Sequence, residues 1–87
     1  MYNVLHLNPF ICVFYIQEGF IFFFYANEHL PVHVHVIKGN GYAKINLLKM
    51  LVVESCMKPS ELRRALELAA EHQAEFVRRW HEFFNKG

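Results

Sequence analysis

Two apolar runs, residues 10–16 (FICVFYI) and 20–25 (FIFFFY), open the patterned part of the chain. Their β-branched and aromatic content predicts strands. Gln17-Glu18-Gly19 between them suits a short hairpin turn. Neither run alternates polar with apolar, so each strand is apolar on both faces, a pattern normally covered on both sides. Only one helical segment follows in the chain to do that covering. The unmatched face points to self-association.

Ala26–Pro31 (ANEHLP) reads as a polar bend, with Leu30 held extended by Pro31. Residues 32–37 then alternate as Val-His-Val-His-Val-Ile and end at Lys38-Gly39-Asn40-Gly41, a hairpin turn sequence. Residues 42–47 alternate in return. Turns centred on Gly39-Asn40 or on Asn40-Gly41 are both compatible, and both give the same faces. One face carries Val32, Val34, Val36, Ala43, Ile45 and Leu47. The other carries His33, His35, Ile37, Tyr42, Lys44 and Asn46.

Residues 50–54 (MLVVE) are a candidate further strand. Pro59 suits a first helical position and Glu61 the positive first turn. Leu62, Leu66, Ala69, Gln73, Phe76, Trp80 and Phe83 recur at helical spacing along one face, predicting a helix over 59–85. Glu75 with Arg79, and Arg78 with Glu82, can pair on its outer side. About 27 residues at 1.5 Å each would span roughly 40 Å, twice the roughly 20 Å of a six-residue strand. Either the segment breaks near His72, or its aromatic end, Phe76, Trp80, Phe83 and Phe84, reaches past the sheet to a partner. The continuous helix is the expectation carried forward. The fold expected is α+β: an antiparallel sheet of four to five strands against a C-terminal helix, in one domain spanning residues 1–87.

Size and charge then narrow the function classes. At 87 residues, 54% apolar and 16% aromatic, the chain is rich in apolar side chains for a domain whose high surface-to-volume ratio makes complete burial difficult. That again favours a homo-oligomer or a small protein partner. A net charge of +1 gives no bulk attraction to nucleic acid or membrane. All basic residues do lie from Lys38 onward, which keeps RNA binding by the C-terminal part and the Phe22–Tyr25 aromatics open as a third reading. Neither apolar run reaches the roughly 18–20 residues of a spanning helix. Cys12 and Cys56 lack metal or disulfide spacing. A soluble cytoplasmic protein is expected.

The candidate chemistry lies in His33 and His35. Side chains at i and i+2 of a strand project together, about 6.5–7 Å apart, close enough to converge on one metal ion or flank one substrate. His29, with Asn27 and Glu28 beside it, is the candidate third ligand. His29, His33 and His35 with an open position describe a catalytic zinc site. The plainer reading leaves the pair solvated or packed at an interface. Lys44 shares the histidine face and disfavours a cation. With Tyr42 it suggests instead an anion-binding, acid–base site in which His33, His35, Lys44 and Tyr42 act on a phosphodiester. No organic cofactor is implied.

The stretch Gly19–Leu47, GFIFFFYANEHLPVHVHVIKGNGYAKINL, resembles a family of small bacterial proteins of unknown function. Their pattern is an aromatic strand, a polar turn with His, Pro-x-His-x-His-Val, a Gly turn and Ala-Lys. The helix carrying Phe76, Trp80 and Phe83 or Phe84 is similar to theirs, so the likeness covers roughly residues 19–85. His29, Pro31, His33, His35, Gly41, Lys44 and Trp80 map onto the motif. Residue 32 departs from it, with Val where many relatives have a second Pro-like position, and the first 17 residues are atypical. The resemblance implies a component of a toxin–antitoxin-like gene pair, and carries no catalytic mechanism. An interaction module is therefore the leading expectation, and a hydrolase or ribonuclease the rival.

Overall fold

The computed structural model describes residues 11–84. Five antiparallel strands form one sheet: β1 (Ile11–Gln17), β2 (Phe20–Tyr25), β3 (His33–Lys38), β4 (Gly41–Asn46) and β5 (Leu51–Ser55). Their order across the sheet is their order in the chain, β1-β2-β3-β4-β5. Two helices follow, α1 (Pro59–Glu71) and α2 (Gln73–Phe84). The α+β architecture and all five strands match the sequence reading to within one residue at each end. Residue 10 of the first expected strand and residue 85 of the expected helix lie outside the described residues. Of the atypical first 17 residues, those described form the edge strand β1.

The turns set the register. Between β1 and β2, Gln17 faces Phe20, and the two central residues Glu18 and Gly19 both have positive φ, 56° and 82°. That is the type I′ pattern, whose twist matches the flanking strands. Between β3 and β4, Lys38 faces Gly41, and positive φ is confined to Gly39, at 57°. Of the two registers compatible with the sequence, the one centred on Gly39-Asn40 forms, because it places a glycine at the position that most needs one. His35 consequently faces Lys44, and His33 faces Asn46.

Both helices cover the valine face. Phe20, Phe22 and Phe24 of β2, Val32, Val34 and Val36, and Ala43, Ile45 and Leu47 are buried with Ala65, Leu68, Ala69, Phe76 and Trp80. The helical segment is interrupted at His72, whose φ and ψ of −111° and 17° end α1. The continuous helix is thus corrected to two, and the length mismatch is the physical reason. A straight rod would overrun the sheet, whereas the break keeps α2 over it. Phe76 lies edge-on to Phe14 at 4.9 Å and tilted against Phe22 at 5.3 Å. The His72 ring fills the corner against Tyr15, 4.3 Å away. Gln73, the first residue of α2, donates from Nε2 to the Leu47 carbonyl at 2.5 Å and ties the corner to the end of β4.

One ion pair joins the first turn to the helical layer. Arg64 of α1 donates from Nε and Nη2 to the two carboxylate oxygens of Glu18, at 2.9 and 2.6 Å. This fork geometry, with help from Gln17 and the charge of Lys38, holds the Glu18 carboxyl at about 2 instead of 4.5. A lowered folded-state value stabilises the fold above the unfolded value, and that contribution fades as pH falls toward about 2. Glu18 is exposed, so the effect on stability is small. Carbon-detected NMR titration should place its midpoint near 2, and Arg64→Met should return it toward 4.5. An unchanged midpoint in the variant would show that the pair does not persist in solution.

Candidate functional site

The solvated half of the plainer reading of the histidine pair does not hold. His33 and His35 do point to the sheet face opposite the helices, yet they are only 3% and 5% exposed. The connection between β2 and β3 covers them. It leaves β2 at Tyr25, passes a cis Leu30-Pro31 peptide and carries Glu28 back over the strand that follows. Glu28 is anchored there by accepting the Tyr25 backbone N–H at 3.2 Å and donating its own N–H to the Tyr25 carbonyl.

Both imidazoles end on this one carboxylate. His33 Nε2 lies 2.9 Å from Glu28 Oε1, and His35 Nε2 is hydrogen-bonded to Glu28 Oε2. The other ring nitrogens are also held. His33 Nδ1 lies 2.8 Å from the Pro31 carbonyl and His35 Nδ1 lies 2.9 Å from the Tyr42 hydroxyl. A carbonyl and a carboxylate only accept, so this pattern calls for a proton on both nitrogens of His33. His35 is satisfied as a neutral ring, donating from Nε2 to Glu28 and accepting at Nδ1 from Tyr42.

The electrostatics agree with that assignment for His35 and Glu28. Burial pushes His35 below its ordinary value, against the pull of Glu28; His33 and Lys44 add to the lowering. Burial raises Glu28, but the Tyr25 N–H, the His35 hydrogen bond and the electrostatic attraction of the two rings outweigh it, and the carboxyl stays below the usual range. Tyr42 is raised beyond the ordinary phenol range, by burial first and then by the neighbouring Glu54 carboxylate of β5. Aromatic rings wall the group. Phe23 stacks on His35 at 5.3 Å, Tyr25 meets it edge-on at 4.9 Å, and Trp80 lies 5.0 Å from His33.

Placement of the candidate residues is therefore uneven. His33, His35 and Tyr42 come together. Lys44 lies beside His35 in the sheet and is felt by it as a charge, but the four imidazole nitrogens are taken by Glu28, Pro31 and Tyr42. The anion that the histidine–lysine face suggested is supplied from within the chain. His29, the candidate third ligand, is exposed, and Glu28 beside it stands in its place. Glu28, His33 and His35 form a group whose potential ligand atoms all lie within 4.8 Å of one another. Glu28 and His29 also line a cleft of about 670 Å³ with Leu30, Trp80, His81 and Phe84.

The aromatic positions expected to reach a partner divide in two. Phe76 and Trp80 are buried in the chain's own core, since the break at His72 turns α2 back onto β2. Phe83 and Phe84 are half-buried, both against Phe24. Glu28 is the member of the group that periodicity does not single out. A glutamate five positions before the first histidine, across a proline bend, was the available signal. No helix among the described residues is long and apolar enough to cross a membrane.

No curated protein and no solved structure is significantly similar to this chain. A family model, a domain of unknown function termed DUF4160, matches residues 19–81. That span holds β2 to β5, α1, most of α2 and every member of the histidine group, and the chain belongs to the DUF4160 family.

Proposed function

We propose that this protein is an interaction module that self-associates through the β5 edge of its sheet, with β5 of one copy pairing against β5 of a second. The observation that carries this reading is the composition of that edge. Among the described residues β5 has a single strand neighbour, β4. The apolar side chains Leu48, Leu51 and Val53 along it are 61%, 59% and 53% exposed. Edge strands are usually blunted by Lys or Pro, and an apolar edge without them is a template for another strand. Antiparallel pairing of β5 with a second β5 is isologous, so one two-fold axis closes the dimer and leaves no further β5 edge open.

Light scattering on the purified chain at tens of micromolar should give twice the monomer mass. Val53→Lys should return it to a monomer with an unchanged circular dichroism spectrum. A monomeric wild type sinks the reading. The gene-pair setting implied by the family resemblance supplies the rival occupant, a cognate small protein adding its own strand to the same edge. A hydrolase or ribonuclease using His33, His35, Lys44 and Tyr42 has less support. Acid–base work on an outside substrate needs a free imidazole nitrogen within reach, and all four are engaged inside the chain.

A further inference from the structure

We infer that Glu28, His33 and His35 form a binding site for one borderline divalent transition ion, of which zinc is the representative. The inference stands apart from the reading of β5 and rests on how each imidazole is oriented. Metal-ligating histidines almost always donate their second nitrogen to a carbonyl, a carboxylate or water, which fixes the ring and its tautomer. His33 is held in that way, and His35 has the partner for it in Tyr42 once its proton stands on Nδ1. His33 Nδ1 is committed to the Pro31 carbonyl and His35 Nδ1 to the Tyr42 hydroxyl, itself next to Glu54. The two Nε2 atoms are thereby aimed at one place, where the Glu28 carboxylate presents an oxygen to each.

The dimensions suit an ion with little movement. Zinc ligands at about 2.0–2.2 Å in tetrahedral array stand roughly 3.3 Å apart. The donor atoms of this group already lie within 4.8 Å of one another, and His33 Nε2 is 2.9 Å from its oxygen. Loading releases one proton, from His33 Nε2, and moves the His35 proton from Nε2 to Nδ1. His35 then carries its proton on Nδ1 and donates it to the Tyr42 oxygen. Two imidazoles and one carboxylate favour zinc, cobalt, nickel or iron(II) over magnesium or calcium, which prefer all-oxygen sites. Glu28 is the member that borders the cleft with His29 and Trp80, and that side is the approach for an ion.

The test uses the full chain and cobalt(II) or zinc(II) chloride, with no other ligand. Isothermal titration should show one ion per chain, and cobalt should give the visible d–d bands of a four- or five-coordinate site. Glu28→Gln, which keeps a side chain able to hydrogen-bond both rings, should remain folded by circular dichroism and lose at least about 100-fold in affinity. Tyr42→Phe removes no ligand and should weaken binding by about 10–100-fold. His29→Ala and His72→Ala should leave it unchanged. The inference is overturned if the wild type takes up no ion, if Glu28→Gln binds as tightly as wild type, or if His29→Ala or His72→Ala abolishes binding. In the first case the group is a hydrogen-bonded clasp for the β2–β3 connection and nothing more.

Discussion

Phe76→Ala should leave this domain barely folded. The Phe76 side chain is fully buried, and its ring contacts those of Phe14, Tyr15, Phe22 and His72, at centroid distances of 4.9, 5.6, 5.3 and 5.6 Å. It is thus the point where both apolar strands meet the start of α2. Truncating a buried phenylalanine costs about 3–5 kcal/mol, from lost transfer energy and the cavity left behind. A domain of this size is stable by only about 4–13 kcal/mol at the usual contribution per residue. The substitution therefore removes about a quarter or more of the total, and the melting temperature should fall by more than about 10 °C. Urea unfolding followed by circular dichroism measures this directly. A loss below about 1 kcal/mol, the level of a surface change, would mean that α2 is not seated on the sheet as described.

Glu28→Ala should have the second-largest effect, by a different route. Glu28 is not a core residue by size or polarity, and its loss opens no large apolar cavity. It does leave two buried Nε2 atoms without partners, because one carboxylate serves both rings. An unsatisfied buried polar group costs about 1–3 kcal/mol, and breaking a buried ion pair from one side about 3–5. The rings can relax into the space left by the carboxylate, so the expected loss is about 2–4 kcal/mol. Glu28→Gln should lose far less. Its amide oxygen accepts from His33, and its NH₂ donates to His35 once that ring carries its proton on Nδ1 toward Tyr42. Equal losses in the two variants would show that carboxylate charge, and not hydrogen-bond satisfaction, holds the loop. Hydrogen exchange at residues 26–31 supplies the local readout.

These two residues mark what the sequence did and did not make legible. Strand identity followed from composition and period, since β-branched and aromatic runs bounded by Gly turns have few other solutions. The same-face placement of His33 and His35 required only that residues 33–38 be a strand. The register stayed open between two turns, and Gly39 decided it by occupying the position of positive φ. Phe76 could be assigned to a helical face but not to a partner for that face. Whether it met its own sheet or another chain depended on the break at His72, which is a response to sheet width and not to local propensity. Ala65 and Leu68 complete the buried helical surface and were not singled out by the spacing. Glu28 was illegible for a related reason. Periodicity describes residues inside an element, whereas Glu28 reaches its partners by the path of a loop. Strand alternation says which face the histidines share, and says nothing of a loop that folds back to cover it.

The order of the strands has a further consequence, for how the chain finds this structure. In a meander every strand pairs with its neighbour in sequence, so no crossover has to close before pairing begins. β1–β2 and β3–β4 are joined by two-residue turns, and each can form as a hairpin within about 1–10 μs. The longer β2–β3 connection, the one bearing Glu28, is then what brings the two hairpins side by side. Sequence-local contacts of this kind place the sheet among fast-forming topologies. The slower event is left to the C-terminal third, where α2 must turn at His72 before Phe76 and Trp80 can dock. The histidine group, built on β3 and closed by the connection before it, can therefore assemble while the helices are still unpacked.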